Sequence, residues 1–211
     1  MNDTAMIQIE GMTLQFGDIP LLAGLDMQVG AGEMVCLTGE SGCGKTSLLR
    51  AMLGFVPMFA GRVTVDGCVL EVGTVSYVRS RVDYVPQELS LPCERVADLV
   101  EMVAGLKANR RWSYASERLF AVWEKLALDQ GLYTQRWAKV SGGQRQRILL
   151  SLAALTDKPL LLADEPTAAL DEENAHRVGL LLRDLCGRGR TVLVVSHDEW
   201  LMEVCDRVIR I

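Results

Sequence analysis

The sequence predicts an α/β fold in which a helical lobe is inserted into a largely parallel sheet. Three observations support this fold class. Apolar and polar residues alternate near the N-terminus, the periodicity becomes helical from about residue 88 to residue 156, and short continuous apolar runs lie on both sides of that region. The chain has 211 residues, a length that suits one domain with a sub-lobe, since domains average roughly 150 residues.

The first elements are predicted to be strands. Apolar residues occupy alternate positions in much of 7–16 and 25–29, which is typical of half-exposed antiparallel strands. Residues 34–37 are continuously apolar, as in a strand buried on both faces. Residues 46–53 favour a helix that stops at Gly54, because glycine is a poor helix former.

A hairpin and a helical region follow. Residues 63–65 read as a strand that enters the turn Asp66-Gly67, a dipeptide favoured in tight hairpins. Further on, apolar stripes at i, i+3, i+4 and i+7 spacing predict two amphipathic helices. The stripes consist of Val96, Leu99, Val100 and Val103, and of Leu119, Val122, Trp123 and Leu126.

Buried strands return after the helical region. They are expected at residues 160–163 and 192–195, with a helix from about 172 to 185 between them and a last short strand at 208–211. We therefore expect a single domain over 1–211. Within it, residues 1–87 and 157–211 would form the core with an N-terminal antiparallel β-subdomain, and residues 88–156 would form the helical subdomain.

Composition excludes several classes of protein. Half of the residues (49%) are apolar and 23% are charged, which allows a buried core and excludes disorder as the main state. The net charge of -5 and the absence of charge runs argue against a nucleic-acid partner. No segment has the roughly 18 to 20 apolar residues of a membrane span, and no secretory signal is visible. The six cysteines form no C-x-x-C pair, so we expect reduced thiols.

A phosphate-binding pattern, G-x-x-x-x-G-K-[ST], stands between the predicted buried strand and the first helix. Its residues are Gly39-Glu40-Ser41-Gly42-Cys43-Gly44-Lys45-Thr46. Glycines let successive N–H groups point inward, and the helix adds the positive end of its dipole. Lys45 can then reach the β- and γ-phosphates, and the Thr46 hydroxyl can ligate Mg²⁺. An idle glycine-rich turn is the alternative, and the strand and helix context argues against it.

Two carboxylates at the end of the strand 160–163 supply the second half of a nucleotide site. Asp164 stands where a metal ion would bind, and Glu165 is suited to polarise an attacking water. Acids at a helix start are the alternative. His197 follows the strand 192–195 and Gln87 follows a strand at 82–85, so both are expected beside the same sheet edge. Taken alone, each is weak evidence.

The segment Val140-Ser141-Gly142-Gly143-Gln144 opens a further helix. Ser141 and Gln144 have the spacing of a capping box, a purely local role. A capping box does not require two glycines, however, and the amides of Gly142 and Gly143 would make a second anion site at a helix start. Because Lys45 already serves one phosphate cradle, this second site is free to act on a nucleotide bound elsewhere.

With these motifs the chain resembles the ATP-binding cassette family, the nucleotide-binding subunits of ABC transporters. The resemblance rests on six motifs in order over essentially the whole chain. These are Walker A at 39–46, the Q-loop at Gln87, the signature at 140–144, Walker B at 160–165, the D-loop at 168–171 and the switch histidine His197. Val140 replaces the usual leucine, a conservative change. The resemblance implies a P-loop NTPase core of the RecA-like type, with the β-subdomain and inserted helical subdomain named above.

The resemblance also implies roles for residues. Glu165 would be the general base, His197 would contact the γ-phosphate, and Gln87 would link the helical lobe to the nucleotide. Mg²⁺ would be held by Thr46, Gln87 and Asp164. ATP would be held by Phe16 on the adenine, by Gly39, Ser41, Gly42, Cys43, Gly44, Lys45, Thr46 and Ser47, and, from a second cassette paired head to tail, by Ser141, Gly142, Gly143, Gln144 and Asp171.

The partners implied are a second cassette, expected to be a second copy of this chain, and integral membrane permease subunits. The chain would then be a peripheral subunit on the cytoplasmic side of the cell (inner) membrane. Two other functions remain as alternatives: a soluble ABC-type ATPase of DNA repair or translation, and a small P-loop kinase or GTPase. The first usually carries coiled coils, zinc modules or two cassettes, and the signature and His197 oppose the second. The transported substrate does not follow from the sequence.

Overall fold

The chain folds into two sheets and a helical lobe. The computed structural model describes residues 5–17, 19–87, 93–109 and 116–211. Its strands are β1 (Ala5–Phe16), β2 (Ile19–Gly30), β3 (Met34–Thr38), β4 (Ala60–Val65), β5 (Cys68–Val69), β6 (Val82–Val85), β7 (Leu160–Asp164), β8 (Thr191–Val195) and β9 (Arg207–Arg210). Its α-helices are α1 (Lys45–Met52), α2 (Val75–Arg81), α3 (Val96–Ala104), α4 (Ser116–Lys125), α5 (Gly142–Ala154), α6 (Glu172–Gly187) and α7 (Glu199–Glu203). Short 3-10 helices cover Lys107–Asn109, Gln130–Thr134 and Trp137–Lys139.

The first sheet is antiparallel and has the order β2-β1-β4-β5. Strand β1 pairs with β2 on one side and with β4 on the other, and Ile7 faces Val29 and Val65. The turn between β4 and β5 has positive φ at both central residues, 50° at Asp66 and 72° at Gly67. That is the geometry of a tight hairpin, and it explains the predicted dipeptide.

The second sheet is parallel and has the order β6-β7-β8-β3-β9. Every residue of β3, β7 and β8 is buried. Alternate residues of β3 belong to two different cores. Met34 and Cys36 pack towards the helical lobe and α6, whereas Val35 and Leu37 pack towards α1 and the antiparallel sheet. Strands covered on both faces need apolar residues at every position, which is why these runs do not alternate.

The helical lobe lies between β6 and β7 and packs around Trp123. The side chain of Trp123 is fully buried, and its indole N–H donates to the Ser151 hydroxyl over 2.9 Å. Phe120 meets it edge to face, with ring centroids 5.7 Å apart. The predicted stripes form this core, although Val103 and Val122 are only half-buried at its margin.

Two short helices were not predicted. Helix α2 has seven residues and buries only Val78, and α7 has five residues and buries only Leu201. A single buried residue produces no apolar periodicity, so the sequence does not indicate these helices. Their contacts with the rest of the fold stabilise them. Across the described ranges, no helix combines the length and apolar character needed to cross a bilayer.

Candidate active site

The phosphate loop follows the buried strand β3 and ends at helix α1. Gly42 and Gly44 have φ values of 82° and 104°, conformations that side chains with a Cβ rarely adopt. Gly44 is the residue before the helix, and its carbonyl accepts the first helical hydrogen bond from the Leu48 amide at 2.7 Å. The glycines therefore allow the chain to turn sharply into α1, and the start of a helix after such a loop is a place that binds anions.

Lys45 occupies the loop itself. Its Nζ donates to the carbonyls of Gly39 and Glu40, both at 2.8 Å, and the residue is only 7% exposed. The Cys43 thiol lies 3.8 Å from the same nitrogen. A buried ammonium held by carbonyls has no anionic partner in the loop, so it is poised to exchange these carbonyls for phosphate oxygens.

Asp164 ends strand β7 and is 1% exposed. Burial raises its pKa above the ordinary 3.8, while the hydroxyls of Thr46 and Tyr84 and the nearby cations act in the opposite direction. The Tyr84 hydroxyl donates to Oδ2 at 3.4 Å, and Oδ1 is buried without a hydrogen-bond partner among the described residues. An unsatisfied carboxylate oxygen beside a threonine hydroxyl fits a hard divalent cation such as Mg²⁺.

Glu165 follows with a φ of 48°, which is unusual for a residue with a side chain. Its amide donates to the Val195 carbonyl at 2.9 Å, so the strand β8 holds this strained residue in place. Burial raises the pKa of its carboxyl, and Asp164 raises it further, whereas His197 and Lys45 oppose the shift. His197 lies beside it, with Nε2 3.4 Å from Oε1, and its side chain is 53% exposed.

The structure brings most of the predicted residues to one cleft of about 570 Å³. Its lining consists of Leu21, Ser41, Gly42, Gly44, Lys45, Thr46, Ser47, Gln87, Asp164, Glu165, Ala168, Val195 and His197. Gln87 lies at an exposed position there. The side chain of Phe16 lies outside the part of the chain that the structure describes, so its proposed place on the adenine is not tested.

Sequence reasoning missed several residues of the cleft. Leu21 comes from strand β2 of the other sheet, and the neighbouring Leu22 lies so close to Gly44 that a Cβ there would be 3.3 Å from its Cγ. Ala168 and Val195 also line the cleft, and both are hydrogen-bonded to the backbone of Glu165: the Ala168 amide donates to its carbonyl at 3.3 Å, and the Val195 carbonyl accepts from its amide. No motif marks Leu21, since its place depends on how the two sheets pack.

The signature segment lies outside this cleft, since none of Ser141, Gly142, Gly143 or Gln144 is part of its lining. The predicted capping box is present: the Gln144 amide donates to the Ser141 hydroxyl at 3.2 Å, and the Ser141 amide donates to Gln144 Oε1 at 3.0 Å. Gly142 is exposed, and apart from its chain neighbours and its own helix backbone no atom of the described residues lies within 4 Å of the place that a Cβ on it would take, so the space beside this helix start is open.

Asp171 is also outside the cleft. It caps helix α6, where its Oδ1 accepts from the Asn174 amide at 2.8 Å, and the side-chain nitrogen of Asn174 donates to both carboxylate oxygens at 2.9 Å. These hydrogen bonds lower the pKa of Asp171. Apart from Phe16, and from Gly39 and Cys43 of the phosphate loop, which are not part of the cleft lining, the predicted residues thus fall into two groups, one around the cleft and one on the surface formed by the signature segment and the D-loop.

The chain is similar in sequence and in fold to known proteins. A sequence model of the ABC transporter family matches residues 22–168. The lipoprotein-releasing system ATP-binding protein LolD of Bacteroides thetaiotaomicron is 32% identical over 97% of this chain and 95% of its own. The phosphonates import ATP-binding protein PhnC of Thiobacillus denitrificans is 34% identical over 96% and 82%. A dimeric post-hydrolysis state of the ATP-binding cassette MJ0796, bound to ADP and Pi, superposes with a TM-score of 0.83 at 25% identity, over 98% of this chain and 94% of that one.

Proposed function

The chain belongs to the ABC transporter family, and from that premise we propose how its residues bind and hydrolyse ATP. Proteins of this family are ATP-binding subunits that dimerise and couple ATP hydrolysis to transport by membrane components, and that is the function of this chain. The alternative of a non-transport ABC ATPase finds no support, since the named relatives serve transport systems.

The phosphate cradle is the first assignment. The amides of residues 39–46 and the Lys45 ammonium bind the β- and γ-phosphates, and Ser47 adds a hydroxyl at the start of α1. Mg²⁺ binds Thr46 and the buried Asp164, with Gln87 at the edge of the same cleft. The unsatisfied Oδ1 of Asp164 is the observation that supports the metal. Bound Mg²⁺ would offset the negative charge of the phosphates.

Glu165 is the proposed general base. Its raised pKa makes the carboxylate a better proton acceptor than an exposed glutamate, and His197 is close enough to orient it or to contact the γ-phosphate. Its strained backbone keeps the carboxylate in the cleft directly after Asp164. The base and the metal ligand are therefore held by one turn of chain.

Two cassettes complete each site. The single observation that carries this proposal is the separation of the two motif groups: Ser141 and Gly142 are exposed helix-start residues that their own cleft does not use. Because an open helix start binds anions, it fits the γ-phosphate of ATP bound to a second cassette. Two copies of this chain arranged head to tail would give two equivalent composite sites.

The membrane partners are integral permease subunits, and the chain is a peripheral subunit on the cytoplasmic side of the inner membrane. We assign their contact to the part of the helical lobe between Gln87 and Ser141. Gln87 joins that lobe to the cleft, and the Gln146 side chain donates to the Pro86 carbonyl at 3.4 Å, which ties the Q-loop to helix α5. The named relatives serve different cargoes, so choice of cargo belongs to the permease.

The Glu165→Gln variant tests the base. We expect it to bind ATP, to lose activity by about 10²- to 10⁴-fold, and to accumulate as a nucleotide-bound dimer in size-exclusion chromatography. Glu117→Gln, an exposed glutamate on α4, is the matched control and should hydrolyse at the parent rate. If Glu165→Gln hydrolyses ATP at that rate, Glu165 is not the base.

The Ser141→Arg variant tests the shared site. We expect hydrolysis to be abolished, because the arginine side chain fills the space of the partner's γ-phosphate, while ATP binding to the single subunit stays near normal. Binding is measured with a fluorescent ATP analogue at concentrations where the chain is monomeric. Loss of binding in the monomer would contradict the assignment of the signature to a second cassette.

A further inference from the structure

Arg147 is a buried cation that the proposed chemistry does not use. It lies one turn into helix α5, four residues after Gly143, and only 8% of it is exposed. It takes part in none of the ion pairs of the described residues. Burial lowers its pKa. Desolvating a guanidinium without a carboxylate partner is costly, so its neutral partners must hold it firmly.

Those partners come from three parts of the chain. Nη1 donates to the Leu126 carbonyl at 2.6 Å and to the Ala127 carbonyl at 3.2 Å, just after helix α4. The same nitrogen donates to Asn174 Oδ1 at 2.6 Å, in the first turn of α6. Nε donates to the Gly143 carbonyl at 3.3 Å, within the signature segment. One side chain thus joins the signature helix, the helical lobe and the helix that follows the D-loop.

The connection continues through Asn174. Since its Oδ1 faces Arg147, its side-chain nitrogen faces the two carboxylate oxygens of Asp171, and both contacts are 2.9 Å long. The backbones meet as well, because a Cβ on Gly143 would lie 2.8 Å from the Ala169 carbonyl oxygen. Arg147, Asn174 and Asp171 therefore form one hydrogen-bonded chain that runs alongside a direct contact of the signature segment with the D-loop.

We propose that Arg147, acting through Asn174, is a positioning residue that holds the signature segment and the D-loop of one cassette as a single unit acting on the partner's nucleotide. This inference rests on the proposed head-to-tail function. Neither Arg147 nor Asn174 lines its own ATP cleft, so the effect of removing either should appear in the partner's site. The residue acts by fixing geometry and touches no reacting atom.

Loss of the Arg147 side chain should displace the signature segment without preventing ATP from binding in the cleft. Arg147→Ala leaves Asn174 Oδ1 and the two lobe carbonyls without their donor. A displacement of about 1 Å in a composite site can cost roughly 100-fold in rate, and we expect a loss of that order, with ATP binding to the monomer unchanged. Asn174→Ala, at a half-buried position, should reproduce most of the loss and is the second variant should Arg147→Ala fold poorly.

The matched control is Arg145→Ala, two residues away on the same helix. Arg145 donates to the Trp137 carbonyl at 2.9 Å and lies over the Trp137 ring, so its contacts lie away from Asn174. We expect this variant to keep at least about half of the parent rate. An equal loss of hydrolysis rate in Arg147→Ala and Arg145→Ala would show that removing any arginine from this helix disturbs the lobe, and it would refute the proposal.

A mixed dimer gives the decisive readout. Full-length cassettes carrying Arg147→Ala and Glu165→Gln are combined under two affinity tags. In that dimer one site has an intact Glu165 and an intact partner signature, and the other site lacks both. We expect hydrolysis to rise from the low level of either parent homodimer towards half of the unmodified rate. A defect confined to folding or to Arg147's own cleft gives no such recovery.

A mixed dimer of Ser141→Arg and Glu165→Gln cassettes distinguishes a failure of the Arg147 role from a failure of head-to-tail sharing. If it recovers activity and the Arg147→Ala mixed dimer does not, the role of Arg147 is refuted and head-to-tail sharing stands. If neither recovers, the shared site is refuted, and the inference about Arg147 falls with it. Recovery of activity in both mixed dimers supports head-to-tail sharing and the role of Arg147.

Discussion

A buried charge cluster lies at the start of the parallel strands, and breaking it should strongly destabilise this fold. Asp83 of β6 accepts from Arg190 Nη2 at 2.8 Å and from the Thr156 hydroxyl, and it pairs with Lys158 Nζ at 3.1 Å. The side chains of Asp83 and Arg190 are each only 10% exposed. These residues come from β6, the end of α5 and the segments that precede β7 and β8, so one carboxylate ties the helical lobe to the sheet.

The Asp83→Ala substitution leaves two cations without their anion. Arg190 keeps the Ala153 carbonyl, at 2.7 Å, and Lys158 keeps the Val82 carbonyl, at 3.0 Å. Removing one partner of a buried pair costs about 3–5 kcal/mol, a large part of a domain's usual stability of about 5–15 kcal/mol. Replacing the main pair together, Asp83→Leu with Arg190→Met, also removes the more buried of the two cations and leaves only Lys158, whose side chain is 14% exposed, without its anion, so this double variant should lose less stability than Asp83→Ala.

Urea unfolding, followed by far-UV circular dichroism and tryptophan fluorescence, measures both values. With a urea dependence of about 2–3 kcal/mol per molar, we expect the midpoint of Asp83→Ala to fall by about 1–2.5 M. The double variant should recover part of that loss. A midpoint for Asp83→Ala within about 0.2 M of the parent protein would refute the reasoning, and so would a midpoint of the double variant below that of Asp83→Ala.

Two further predictions concern pH and packing. The pKa of Glu165 in the folded protein is raised above 4.5, and the carboxyl acts as a base only when it is deprotonated, so ATP hydrolysis should fall as the pH falls through that raised pKa. If the residual rate of Glu165→Gln shows the same decrease at low pH, the decrease belongs to another group. Gly179→Ala should destabilise the fold by about 1–3 kcal/mol. A Cβ at this position would lie only 2.9 Å from Cη2 of the Trp200 ring, and that ring is also stacked on His176. Gly187→Ala is the control, because a Cβ at Gly187 has open space around it. Equal thermal unfolding midpoints in the two variants would contradict the close contact between Gly179 and Trp200.

The sequence predicted the elements whose burial is regular. Strands β3, β7 and β8 lie in the middle of a sheet covered on both faces, so they need continuous apolar residues, and that pattern is visible in one dimension. Helices α2 and α7 each bury one residue and carry no such pattern. The fold class and the ATPase function are confirmed, whereas the roles of individual site residues stay predictions.

By itself, the sequence determined the chemistry of this protein: the phosphate loop, the carboxylates after β7 and the capped signature helix are local patterns, set by backbone geometry over a few residues. Only the tertiary structure decided which of them meet. It placed Asp164, Glu165 and His197 around Lys45, and it left Ser141 outside their cleft. It also joined Arg147 to Asn174 across 27 positions of chain. Such contacts depend on how sheets and helices pack, and no short segment encodes them.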